Sequence, residues 1–74
     1  MSLDEAKEKA LRIAAERGAA IGDFLWSAPT IDEGGWALEY EATDDPPGFS
    51  WYFLIAPTRV IAVVAPGPTF GRHT

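Results

Sequence analysis

Trp36-Ala37-Leu38-Glu39-Tyr40-Glu41-Ala42 decides the fold. Trp36, Leu38, Tyr40 and Ala42 alternate with Ala37, Glu39 and Glu41, the period of two that puts one apolar and one polar edge on a half-buried strand. Gly34-Gly35 precedes it and Asp44-Asp45-Pro46-Pro47-Gly48 follows, so turn chemistry bounds it on both sides. A strand that is polar on one face is the mark of an antiparallel sheet with one face against a core.

Downstream, residues 49–56 and 59–65 read as two further strands joined through Pro57-Thr58. Both are apolar on both faces. Trp51, Phe53 and Ile55 alternate with Tyr52, Leu54 and Ala56, and Val60, Ala62 and Val64 with Ile61, Val63 and Ala65. Upstream, residues 23–28 form a short apolar run closed by Pro29, read as a first strand. Residues 29–35 are a loop, and Arg59 reads as a soluble residue of the last hairpin.

Ahead of the strands stands a helix over Leu3–Arg17. Ser2-Leu3-Asp4-Glu5 is a capping box, and no proline or glycine interrupts the segment before Gly18, the expected stop. Leu3, Ala6, Ala10, Leu11, Ile13, Ala14 and Ile21 fall on one arc, and Asp4, Glu5, Glu8, Lys9, Arg12 and Glu16 on the other. Leu3, Leu11 and Ile13 are its expected main anchors. The fold class is therefore α+β, with one N-terminal helix packed on one face of a three- to four-stranded antiparallel meander sheet. Residues 1–66 make a single domain, and 67–74 read as a loose C-terminal tail.

A single helix cannot cover both faces of the last hairpin. The second apolar face needs the chain's own loops or another molecule, and a homodimer sharing Tyr52 and Leu54 is one expected solution. A chain of 74 residues without cysteine has no disulfide or thiolate-bound metal to reinforce a thin core.

The charge is segregated. Asp23, Asp32, Glu33, Glu39, Glu41, Asp44 and Asp45 lie between Gly18 and Thr58, a span without lysine or arginine, and the formal net charge is -5. Such a balance speaks against direct nucleic-acid binding and against an anionic membrane surface, and points to a basic protein partner. Asp32-Glu33 and Asp44-Asp45 are expected beside Glu39 and Glu41, as a docking surface or simply as solvated strand and turn residues. No stretch approaches a membrane span, and the charged N-terminal segment lacks the apolar core of a signal peptide, which together suggest a cytoplasmic protein.

Catalytic constellations are wanting. His73 is the single histidine, in a Gly/Arg/Thr setting one residue from the end, and reads as a solvated residue without the orienting partner a base or ligand needs. No Asp-x-Asp loop offers a calcium site. The expectation is a non-enzymatic module without cofactor or metal. Its partner-binding residues would be Asp32, Glu33, Glu39, Glu41, Asp44, Asp45, Tyr52 and Leu54. A small ligand-binding or enzymatic domain, with a pocket between helix and sheet near Trp26, Trp36 and Tyr40, is the alternative. A purely structural self-associating domain, natural or designed, is the third reading.

The helix, the Gly35-Trp36-Ala37-Leu38-Glu39-Tyr40 strand and the hydrophobic hairpin over 51–65 resemble two groups of small bacterial domains. One is the PepSY-like modules and the other the small immunity proteins of polymorphic toxin systems. The resemblance spans roughly residues 3–65. On the immunity-like side it implies an acidic inhibitor that occludes a basic toxin nuclease or similar enzyme.

Overall fold

The computed structural model describes residues 1–67. Helix α1 (Leu3–Arg17) is followed by strands β1 (Ile21–Pro29), β2 (Trp36–Ala42), β3 (Phe49–Ala56) and β4 (Arg59–Pro66). The strands form one antiparallel sheet in the order β1-β2-β3-β4, a meander with α1 on one face, as the alternation predicts. The tail expected over 67–74 falls, apart from Gly67, outside the described residues. Gly67 itself is buried, and its N–H donates to Gly48 O at 2.6 Å.

The ends of α1 follow from its capping residues. Ser2 Oγ accepts the Glu5 N–H at 3.1 Å while Glu5 Oε1 accepts the Ser2 N–H at 3.0 Å, so two otherwise unpaired donors are satisfied reciprocally. Gly18 closes the helix at φ 67°, and the Ala19 N–H turns back to Ala14 O at 2.9 Å. That closure frees Ile21 from the helical arc, and it becomes the first residue of β1, two positions ahead of the expected strand start.

The helix is seated differently from expectation. Ala6, Ala10 and Ala14 are its buried residues, a seam at i, i+4 and i+8. Leu3 and Ile13 flank the seam half-buried, whereas Leu11 is 49% exposed and anchors nothing. Methyl side chains let the helix lie low on β2 and β3, which leaves no room beneath it for Leu11.

Under the seam lie Leu38, Tyr40, Phe53 and Ile55, all at or below 4% exposure. Aromatic rings continue across this side of the sheet: Phe24 to Tyr40 at 5.4 Å, Tyr40 to Phe53 at 5.8 Å, and Trp51 to Phe53 at 6.1 Å. Lys7 Nζ sits 4.1 Å from the Phe24 ring centre and caps that row from the helix. Trp36, Trp51, Phe53 and Ile55 are thus on the helix side, and Tyr52 and Leu54 on the other.

Gly35 is fixed by close approach. A Cβ there would collide with Ile55 O and come within 2.6 Å of Ala56 Cα, because β3 crosses directly against it. The Pro57-Thr58 turn contains no positive φ, so it is not one of the primed hairpin types, and the strands still pair without interruption from Phe49↔Pro66 to Ala56↔Arg59. β1 behaves otherwise: its register against β2 shifts twice, between Ile21 and Phe24 and between Phe24 and Trp26.

Candidate functional site

The face opposite α1 is built from cross-strand rows fixed by the register. Trp26, Glu39, Tyr52 and Val63 stand in one row across all four strands. Ala28, Ala37, Leu54 and Ile61 make the next. Glu41, Ser50 and Ala65 follow on the other side. Trp26 is 51% exposed, Val63 48% and Ile61 41%, while Tyr52 and Leu54 are half-buried. This is an apolar surface that the helix does not reach.

Within it Glu39 is 5% exposed, against the expectation of a solvated residue. Its two cross-strand neighbours, Trp26 and Tyr52, flank and cover it. Ser50 Oγ, itself fully buried, donates to Glu39 Oε2 at 2.7 Å, and Tyr52 Oη donates to the same oxygen at 3.4 Å. A buried carboxyl group needs such donors, because an unpaired one carries a heavy desolvation penalty. Glu41, two residues on, is exposed and lies over Gly22 of β1, where any Cβ would strike its carboxylate.

The loop carboxylates do not gather around these two. Residues 30–35 lie at one end of the sheet and 43–48 at the other, since consecutive connections of a meander leave from opposite ends. Asp32 and Glu33 are therefore separated from Asp44 and Asp45 by the length of β2, about 20 Å. Glu33 is also engaged: Arg59 Nη2 and Nε reach its two carboxylate oxygens at 2.8 and 3.0 Å, a bidentate pair that ties the β1–β2 loop to the last hairpin. Arg59 is thus a cross-link between loops. Asp32 and Asp44 are exposed and Asp45 half-buried.

Trp26 lies across the sheet from Trp36 and Tyr40, so the three do not line one pocket between helix and sheet. A depression of about 180 Å³ is found instead on the outer side of α1, lined by Met1, Glu5, Glu8, Lys9 and Arg12. Among the described residues no cluster of three or more histidine, cysteine or acidic side chains could hold a metal, and no helix is long and apolar enough to cross a membrane. His73 is outside the described residues.

Among the described residues, two titratable groups depart from ordinary behaviour. The Ser2 backbone N–H, then the Ser2 hydroxyl, hold the Glu5 carboxyl below the usual range. Burial pushes the Tyr40 phenol up, and its Oη is buried without a hydrogen-bond partner among the described residues. Both are structural positions away from the open face.

Sequence reasoning set Tyr52 with Leu54 and Glu39 with Glu41 but left open which face of the hairpin is core; the register puts all four on the face opposite α1. It missed Ser50, Ile61 and Val63 as members of the face, and its alternative of a pocket between helix and sheet put Trp26 on the wrong side. The signal for Ile61 and Val63 was present, because a two-residue turn at Pro57-Thr58 sets Tyr52 opposite Val63 and Leu54 opposite Ile61. Comparison with protein-family models, with curated proteins and with solved structures gave no match.

Proposed function

We propose that this chain is a non-enzymatic protein-binding module, inhibitor- or immunity-like in mode of action, that takes a basic partner on the open face of its sheet. The observation that carries the reading is Trp26, 51% exposed at the centre of β1's outer surface and directly across the strand pair from Glu39. A half-exposed tryptophan beside half-buried Tyr52 and Leu54 matches the anchor chemistry of protein interfaces. The net charge of -5 and the lack of lysine or arginine between Gly18 and Thr58 favour a positively charged surface opposite. A reducing, cytoplasmic setting suits a chain with no cysteine.

The test uses immobilised full chain in extracts of the source organism, with Trp26→Ala and Glu41→Lys variants alongside. Glu39 is unsuitable for this purpose, because a change there disturbs a buried hydrogen-bonded group. The expected result is a basic protein that the parent retains, that both variants lose at unchanged far-UV circular dichroism, and that salt of about 0.5 M releases. A protein retained equally by parent and Trp26→Ala would rule the open face out as its docking surface.

A further inference from the structure

The two edges of the sheet are treated differently. β1 carries two register shifts, holds Asp23 and ends in Pro29, features that blunt an edge against pairing. β4 has none of them along residues 60–65. That run is Val60-Ile61-Ala62-Val63-Val64-Ala65, paired to β3 without a bulge, and it has no charged residue and no proline before Pro66. Val60, Ile61, Val63 and Val64 are each 38–48% exposed, two on either face of the sheet. A long, regular, uncharged edge is a template for another strand.

Which backbone groups face outward follows from the turn. A two-residue hairpin closed by Ala56 and Arg59 makes that pair mutually hydrogen-bonded, and bonding alternates from there. Ile61, Val63 and Ala65 therefore turn their N–H and C=O groups to β3, and Val60, Ala62 and Val64 turn theirs outward. The contact of Arg17 Nη1 with Ala62 O at 3.5 Å agrees with that assignment. It is a long bond from an exposed side chain, easily displaced.

We infer that β4 pairs antiparallel with β4 of a second copy of this chain, about a two-fold axis normal to the sheet at Ala62. That axis sets Val60 opposite Val64 and Ile61 opposite Val63 of the second copy. Every pair keeps its face, and about six interchain backbone hydrogen bonds form. Charge selects this arrangement over stacking of the open faces. Face-to-face stacking at about 10 Å would bring Glu39 and Glu41 of the two copies together. Edge pairing leaves the two β2 strands five strand spacings apart, about 24 Å, well beyond the screening length of roughly 8 Å at physiological salt. The irregular β1 edges end the assembly at two copies. Four side chains already more than half covered cannot supply the roughly 800 Å² per partner of a standard interface, so the dimer is a micromolar one. The inference is independent of the proposed partner, since the open faces stay free and lie side by side.

Sedimentation equilibrium of the full chain from about 1 to about 500 µM tests it. The parent should pass from monomer to dimer across that range. Ala62→Pro removes one outward N–H without touching the β3 ladder, and should shift the midpoint at least tenfold upward. Val64→Lys does the same by charge and serves if the proline variant does not fold. Trp26→Ala should leave the midpoint unchanged. A monomer throughout, or a dimer lost in Trp26→Ala and kept in Val64→Lys, overturns the inference.

Discussion

Ser50→Ala isolates what holds a carboxyl group inside an otherwise apolar sheet face. Ser50 is fully buried and its hydroxyl meets Glu39 Oε2 at 2.7 Å, whereas Tyr52 Oη stands at 3.4 Å, beyond the usual O–H···O length. Alanine keeps the Cβ and removes one oxygen, so the cavity term is small. The loss is that of a hydrogen bond to a charged group, about 1.5–3 kcal/mol. A domain of 74 residues has a total stability of roughly 4–11 kcal/mol, so the loss is a large fraction of it. With an m-value near 1 kcal/mol/M, the urea midpoint should fall by about 1.5–3 M. The control is a double-mutant cycle: in a Glu39→Ala background the same Ser50→Ala change should cost less than about 0.5 kcal/mol. Equal costs in both backgrounds would refute the reasoning, because the serine would then be stabilising something other than the glutamate.

Other positions give sharper single readouts. Gly35→Ala forces a Cβ onto the Ile55–Ala56 backbone and should lower the melting temperature by at least about 10 °C; a change of under about 2 °C would show that β3 gives way. Tyr40→Phe discards a buried, unpartnered hydroxyl and should stabilise by about 1 kcal/mol in urea titrations, a loss of that size counting against it. The phenol's value is raised in the folded chain, so its contribution is intact below the unfolded value near 10 and declines as pH rises above it. The phenylalanine variant should lack that alkaline decline. Glu5 has a lowered value, so its contribution is present above the unfolded value of about 4.3 and is lost as pH falls through the folded one. The melting-temperature gap between parent and Glu5→Gln should close on acidification; a gap independent of pH would mean that the carboxylate charge plays no part.

Most of the architecture could be read from local pattern, because local rules set it. The capping box and Gly18 mark the ends of α1, and alternation with turn residues marks β2 and β3. What failed was whatever depends on neighbours across strands. Period two places Glu39 on the face away from the helix, which is right, and implies solvation, which is wrong, because Trp26 and Tyr52 are brought beside it only by register. The shift between Phe24 and Trp26 likewise sets those two residues on opposite faces of the sheet, although they are two apart, and nothing in their own segment announces it. The separation of Asp32-Glu33 from Asp44-Asp45 could have been deduced from the meander alone. Leu11 and Ala10 were ranked by side-chain size, although a helix set low on a sheet selects the smaller residue.

The same alanine seam accounts for the apolar surface left open on the helix side of β4. Ala6, Ala10 and Ala14 bring the helix down on β2 and β3, where Leu38, Phe53 and Ile55 complete the core. A helix with large core-facing side chains would stand farther out and reach more widely over the sheet. This one covers the two central strands closely and leaves Val60 and Val64, on its own side of β4, each more than a third exposed, while Ile61 and Val63 stand on the face that no helix covers. Had those positions only to end the sheet, charged residues would serve at no cost to the core, as edge strands commonly show. Their uniform aliphatic character, confined to the strand farthest from the Glu39 and Glu41 carboxylates, is what an edge that receives another strand requires.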